Sequence, residues 1–157
     1  MPREPILDMM RRTMGNLEFV EHHAQRDGPF EVTQLINFFL GALAHPWETL
    51  KVDLFAIPLS SAQAAGWPVP EQQDGRTTPQ LLGDLLRFIR NGIAHGNLSF
   101  FPDHRGQIQA IGIANYDRGR RTWSGVISVR DMRALLERFV ALAEEMDLAA
   151  RQPKRTA

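Results

Sequence analysis

One segment of the sequence has clear helix start and stop signals at its two ends. Between Thr78-Pro79 and Gly96, leucine, isoleucine and phenylalanine recur at three- and four-residue spacings, which predicts an amphipathic helix. Thr78 is a suitable N-cap, Pro79 suits the first helical position, and Gly96 suits the position just past the end. The chain must therefore provide a core against which this helix can bury one apolar stripe.

Three further segments share the helical periodicity and predict a mainly α fold. The first extends from Pro5 to about residue 26, before the breaker Gly28-Pro29. The second extends from Val32 to Leu43 and ends at His45-Pro46, because the residue before a proline is pushed out of the helical region. Its extra apolar positions make it the most buried helix. The last covers residues 131–149.

Extended segments are predicted between the third and the last helix. Residues 98–101 and 108–113 form short apolar runs, followed by a turn at 117–119 and a further run over 123–129. A β-hairpin is the simplest interpretation, so the expected fold is a helical bundle with an added hairpin. The segment 57–79 is rich in proline and glycine and predicts a long irregular connection, to which no role is assigned.

Length and charge limit the possible classes of protein. The chain has 157 residues, which favours one domain over residues 1–150 with a disordered basic tail at 151–157. Eighteen basic residues balance eighteen acidic ones, so binding to nucleic acid would need a local patch. Charged residues interrupt the first twelve positions and the apolar runs are short, so we expect no export signal, no membrane span and a cytoplasmic location.

No metal or cofactor is expected. The chain has no cysteine, which excludes disulfides, zinc–thiolate sites and thiol nucleophiles. His22 and His23 are adjacent and would point about 100° apart on a helix, so they form a solvated face rather than a metal site. Glycine-rich phosphate loops, dinucleotide fingerprints and nucleophile elbows are also missing from the sequence.

The polar face of the third helix carries the residues of greatest interest. Arg87, Arg90, Asn91 and His95 lie opposite the apolar stripe, with Asn91 and His95 one turn apart. The helix macrodipole favours a protonated imidazole at this end, which suits a group that both takes and gives protons. A simpler interpretation is that Asn91 and His95 cap the helix while the two arginines are solvated.

The segment Arg90-Asn91-Gly92-Ile93-Ala94-His95 resembles the signature of the HEPN superfamily, which is Arg, four to six residues, then His, often with Asn directly after the Arg. Gly96-Asn97, which follows, is also common in that family. The order of motif helix, hairpin with a tryptophan and closing helix resembles a plasmid- and prophage-borne subfamily over roughly residues 30–146. The resemblance implies a mainly α, HEPN-like helical bundle with a β-hairpin between the motif helix and the C-terminal helix.

The resemblance also implies a function. Such a protein would be a homodimer that sets two motifs across a composite active site and cleaves RNA without a metal, as a toxin or phage-defence effector with a possible protein antitoxin. His95 would act as base or acid, Arg90 would stabilise the phosphorane, and Asn91 would orient His95 or bind a phosphate oxygen. The products would be a 2′,3′-cyclic phosphate and a 5′-hydroxyl. Arg87 and Asn97 are weaker candidates for contacts with RNA phosphates.

The hairpin is a second candidate for RNA binding. Residues 116–133 contain five arginines and two aspartates, a local net charge of +3. Arginines beside aromatic rings are what single-stranded RNA requires, although a solvated turn would have the same composition. The candidates here are the phosphate-binding residues Arg118, Arg120 and Arg121 and the nearby rings of Tyr116 and Trp123.

One position departs from the family pattern. HEPN toxins that are silenced by adenylylation have a tyrosine two residues past the histidine, where this chain has Asn97, and its only tyrosine is Tyr116. Control by that modification is therefore not expected.

Two alternatives to the nuclease stay open. One is a non-catalytic HEPN-like domain that binds RNA, a nucleotide or a protein partner; the other is an unrelated interaction domain, in which Arg90 and His95 would be buried or turned away from any cleft.

Overall fold

The computed structural model describes residues 4–23, 31–44 and 47–151. These residues form six helices and four strands. The helices are α1 (Glu4–His23), α2 (Glu31–Ala44), α3 (Trp47–Leu54), α4 (Leu59–Ala64), α5 (Leu82–Ala94) and α6 (Val129–Arg151). The strands are β1 (Glu71–Asp74), β2 (Leu98–Pro102), β3 (Ile108–Asp117) and β4 (Arg120–Ser128).

The four strands form one antiparallel sheet in the order β1-β4-β3-β2. The expected fold of a mainly α bundle with an added hairpin is therefore wrong. The predicted hairpin is present as β3 and β4, but it is the centre of a sheet that also includes β2 and β1. The physical reason is that a two-stranded ribbon leaves both edges unpaired, and these edges recruit the flanking extended segments.

Three helices match their predictions within the described residues. The predicted first helix corresponds to α1, the second to α2 and the last to α6. Residues 24–30, 45–46 and 152–157, which include the breaker Gly28-Pro29, His45-Pro46 and most of the predicted tail, lie outside the described residues.

The predicted start of α5 is wrong. Leu81, the residue before the helix, is extended, and it forms an isolated antiparallel bridge with Pro58. Hydrogen bonds from Leu59 N to Gln80 O (2.8 Å) and from Leu82 N to Ile57 O (2.9 Å) hold the two segments together. Thr78 and Pro79 therefore belong to an extended approach rather than to the helix, because a pairing distant in sequence outcompetes the local start signal.

Residues 57–79 are not an irregular connection. They include α4 and β1, and β1 pairs with β4 at the edge of the sheet. All four residues of β1 are exposed polar side chains, so the strand has none of the alternating hydrophobicity by which strands are recognised.

The core lies between the helices and one face of the sheet. Alternate residues of β3 and β4 point toward the helices, among them Ile111, Ile113, Trp123 and Ile127, which are all buried. The helices supply the rest of this core, and Phe39 of α2, Leu85 of α5 and Phe139 of α6 are fully buried. None of the helices in the described residues is long and apolar enough to cross a membrane.

Candidate active site at the end of helix α5

The C-terminus of α5 closes through its backbone alone. His95 is the C-cap residue, and Gly96 adopts a positive φ of 67°. Gly96 N donates to Ile93 O (3.0 Å) and Asn97 N to Gly92 O (2.8 Å), which is the double hydrogen bond of a Schellman motif. Backbone donors thus satisfy these terminal carbonyls, so the side chains of the motif are not needed as caps.

Gly92 fixes this helix end against strand β3. A Cβ placed on Gly92 would lie 2.4 Å from Ile113 Cγ2 and 2.9 Å from the carbonyl oxygen of Ala114, closer than real Cβ atoms approach. Just beyond the helix, Ala114 N donates to Asn97 O (3.0 Å). The interior of the Arg90–His95 motif is therefore in direct contact with the sheet, and only glycine fits there without displacement.

Arg90 is held on two sides. Its guanidinium carbon lies 5.0 Å from the centre of the Trp47 ring, within the range of a cation–π contact. Its Nη2 also donates to Oδ1 of Asn91 at 3.1 Å. Trp47 is buried and packs edge-on against Phe55, with ring centres 6.1 Å apart. Arg90 is accordingly half-buried and oriented, contrary to the interpretation in which it is merely solvated.

His95 presents its imidazole to solvent at the end of the same helix. Five residues at 100° each place its side chain about 140° around the helix from Arg90. No side-chain hydrogen bond joins His95 to Arg90 or Asn91 in the part of the chain that the structure describes. The structure therefore brings Arg90 and Asn91 together and leaves the imidazole apart from them.

Two weaker candidates flank the motif. Arg87 donates to Asp84 Oδ1 at 3.0 Å, and its guanidinium carbon lies 5.5 Å from the Phe55 ring and 5.4 Å from the Phe88 ring. Asn97 uses its backbone to close α5 and to begin the pairing with β3. Arg87 is exposed and on the same helix as the motif, so it could reach a phosphate without any change in the backbone.

The hairpin tip follows the C-terminal end of β3. Arg118 is four residues beyond Ala114, or about 13 Å of extended chain. Arg121 forms an ion pair with Asp74 of β1, whereas Tyr116 is 47% exposed. The prediction of Trp123 as an exposed ring on the hairpin surface is wrong, because Trp123 is 1% exposed and stacks on Phe88 with ring centres 5.8 Å apart.

The adjacent histidines of α1 lie outside the motif. His22 and His23 are exposed on α1, with ring centres 6.1 Å apart, as expected for a solvated helix face. The His23 ring stacks on Phe19 at 4.1 Å. Across residues 4–23, 31–44 and 47–151, no three side chains of the metal-binding types are grouped together.

Two residues of the site were missed by the sequence reasoning. Trp47 follows a proline and would be read as an ordinary core aromatic, and its contact with Arg90 joins segments far apart in the chain. Gly92 did carry a signal, since a glycine inside a helical pattern often marks a close backbone approach. That signal predicts that another segment lies close to Gly92, but it does not identify the segment as β3.

Comparison with known families assigns the chain to one of them. A family model described as HEPN pEK499 p136 matches residues 1–148. The chain is thus a HEPN-superfamily domain, a class with nuclease or nucleotide-related functions whose members are commonly ribonucleases. Within that class it belongs to the plasmid-borne HEPN pEK499 p136 family. No curated protein and no solved structure matches the chain.

Proposed function

We propose that this protein is a metal-independent endoribonuclease that acts in the cytoplasm as a toxin or phage-defence effector. The observation that carries the proposal is the end of α5, where a half-buried, oriented Arg90 and an exposed His95 flank a backbone that is already closed. Side chains that are not needed for folding at this position are available for chemistry.

The reaction needs three groups. His95 accepts the proton of a ribose 2′-OH, and the 2′-oxygen attacks the adjacent phosphorus. Arg90, whose planar guanidinium is permanently charged, stabilises the dianionic phosphorane. A protonated imidazole then gives its proton to the leaving 5′-oxygen, so the products are a 2′,3′-cyclic phosphate and a 5′-hydroxyl. Asn91 acts as a positioning residue, because its Oδ1 accepts a hydrogen bond from Arg90.

Base and acid are supplied by two copies of the chain. HEPN domains often act as dimers on RNA. Each motif has one imidazole, and a two-fold dimer places two of them at one composite site. Exposed rings on edge strand β2, which begins three residues after His95, support this arrangement. Phe100 and Phe101 are 49% and 44% exposed, one on each face of the sheet.

The RNA backbone is bound by nearby cationic and amide side chains. Arg87 and Asn97 flank the motif, and Arg118 and Arg120 lie at the hairpin tip. Arg87 and Arg121 contribute less than the other arginines, because Asp84 and Asp74 already neutralise part of their charge. A protein antitoxin would act by covering this surface.

The test is cleavage of total RNA in EDTA by the purified wild type, His95→Ala and Arg90→Ala chains. We expect 2′,3′-cyclic phosphate ends from the wild type alone. His22→Ala removes an exposed histidine from another helix and serves as the control with full activity. Circular dichroism and the sedimentation of each variant establish that fold and oligomeric state are unchanged. No cleavage by the wild type, or equal cleavage by all variants, contradicts the proposal and favours a non-catalytic HEPN-like domain that binds RNA, a nucleotide or a protein.

A further inference from the structure

A cavity lies near the other end of α5. It is open to solvent on one side, has a volume of about 290 Å³ and is lined by α4, β1, β4, α5 and the extended approach to α5. Its polar lining consists of three amides and two hydroxyls, from Gln63, Gln72, Gln80, Ser60 and Thr78. This volume is at the lower limit of pockets that bind small molecules, so it suits a single small ring system rather than a whole nucleotide.

The lining of the cavity excludes several kinds of ligand. Among the described residues that line it, none is charged. A phosphate or carboxylate would find no cation there, and a metal ion would find no carboxylate or imidazole. Amides and hydroxyls offer both donors and acceptors, so the matching group is neutral and carries both on its edge.

The apolar part of the cavity is rigid and suits a flat ligand. Trp123 and Leu85 contribute to the lining, and both are anchored in the core. Pro70 and Pro79 form further wall segments with fixed backbone angles. An aromatic ring that has two apolar faces and a polar edge complements such a surface.

We propose that this cavity binds one nucleobase of a single-stranded RNA whose backbone continues along α5 toward His95. The choice of RNA rests on the proposed function, whereas the choice of a neutral, flat, edge-polar group rests on the cavity itself. Leu85 is ten residues before His95, about 15 Å along the helix axis. Ten residues at 100° each also place the two side chains about 80° apart around the helix. A strand of a few nucleotides that curves around α5 spans this separation, and the cavity then selects a base near the cleaved bond.

The test uses nucleosides, which lack the phosphate that the motif would bind. Adenosine, guanosine, cytidine and uridine are titrated into the isotopically labelled His95→Ala chain, and the indole N–H signals of Trp47, Trp67 and Trp123 are followed by NMR. We expect at least one nucleoside to shift the Trp123 signal in a saturable manner while the Trp47 signal stays unchanged. Ribose alone should shift neither signal.

Two matched pairs of variants locate the binding. Gln72→Ala should weaken the affinity by about 2- to 10-fold, the effect of one lost hydrogen bond, whereas Gln73→Ala, the next residue of β1, should not. Thr78→Val should weaken the affinity and Thr77→Val should not, because Thr78 lines the cavity and Thr77 does not. All four residues are exposed, so the fold should tolerate each change.

The outcomes separate this inference from the proposed nuclease. Absence of any saturable shift at Trp123, an equal shift with ribose, or equal losses in Gln72→Ala and Gln73→Ala overturns the base pocket even if RNA is cleaved. Nucleoside binding at Trp123 without RNA cleavage by the wild type supports the pocket and contradicts the nuclease.

Discussion

The two ends of α5 differ in charge and in how they are held. The C-terminal end carries Arg90, Asn91 and His95 on a backbone-capped terminus that Gly92 presses against β3. The N-terminal end is tied by the bridge between Pro58 and Leu81, and an uncharged cavity opens beside it. One helix thus supports a charged site, where side chains project from a surface, and a neutral site, where side chains line an open pocket. The first arrangement suits phosphate chemistry and the second suits recognition.

Loss of the Arg90 guanidinium, at the charged end of α5, is expected to have the largest effect of the changes considered. Arg90→Ala should lower the rate of RNA cleavage by about 100-fold or more, as expected when a preorganised donor to the transition state is removed. Arg90→Lys keeps the charge but loses the planar fork and its fit over Trp47, so it should recover only part of the rate. Single-turnover kinetics measure both variants. Full activity of Arg90→Lys would show that the charge alone matters.

The second-largest effect is expected when the contact between the motif and the sheet is disturbed. Gly92→Ala places a methyl group 2.4 Å from Ile113 Cγ2, so we expect a loss of about 1–3 kcal/mol in the free energy of unfolding. Chemical denaturation measures this loss. Gly41→Ala in α2 is the control, because nothing lies within 4 Å of its added Cβ, and it should be neutral or stabilising by up to about 1 kcal/mol. Equal stability of the two variants would contradict the close contact at β3.

The amide that orients Arg90 should have a smaller effect. Asn91→Ala removes the acceptor of the 3.1 Å hydrogen bond from Arg90, which corresponds to about 0.5–1.5 kcal/mol and a 2- to 10-fold lower cleavage rate. Asn91→Asp restores an acceptor and should retain more activity than Asn91→Ala. The same kinetic assay applies. If both variants fell to the level of Arg90→Ala, Asn91 would take part in the reaction directly rather than position Arg90.

The smallest expected effect is on the salt dependence of RNA binding, which should differ between the charged end of α5 and the neutral one. Arg87→Ala should make the plot of log binding constant against log salt shallower by at most about 0.7, the value for one phosphate contact on a single strand, because Asp84 already neutralises part of the Arg87 charge. Gln72→Ala should leave this slope unchanged, because an amide releases no counterion. Fluorescence anisotropy with a labelled oligoribonucleotide, measured on the His95→Ala background, provides both slopes. A change of slope in Gln72→Ala would show that the cavity is not a neutral site.

Local patterns predicted the elements that are long and periodic. The helices α1, α2 and α6 and the end of α5 at Gly96 follow from apolar spacing and from the glycine that tolerates a positive φ. The runs that became β2, β3 and β4 were recognised as extended. The sequence did not predict that these strands pair in one sheet, because the strand edges meet only in the folded chain.

The missed features all depend on contacts between distant segments. Strand β1 has no apolar alternation, and its pairing with β4 joins residues such as Glu71 and Val126. The start of α5 moved because Leu81 pairs with Pro58. At the site, the placement of Arg90 and His95 on one helix followed from spacing, but the Trp47 ring beside Arg90 and the burial of Trp123 required the tertiary packing.

The contact at Gly92 has a consequence for how inactive variants of this protein would be distributed. A search pattern of Arg, four arbitrary residues and His treats position 92 as unconstrained, yet the packing there admits only a hydrogen atom as side chain. Random mutagenesis followed by selection for loss of activity should therefore return changes at residue 92. It should also return bulky replacements at its neighbour Ile113 in β3, although neither residue offers a group that could react.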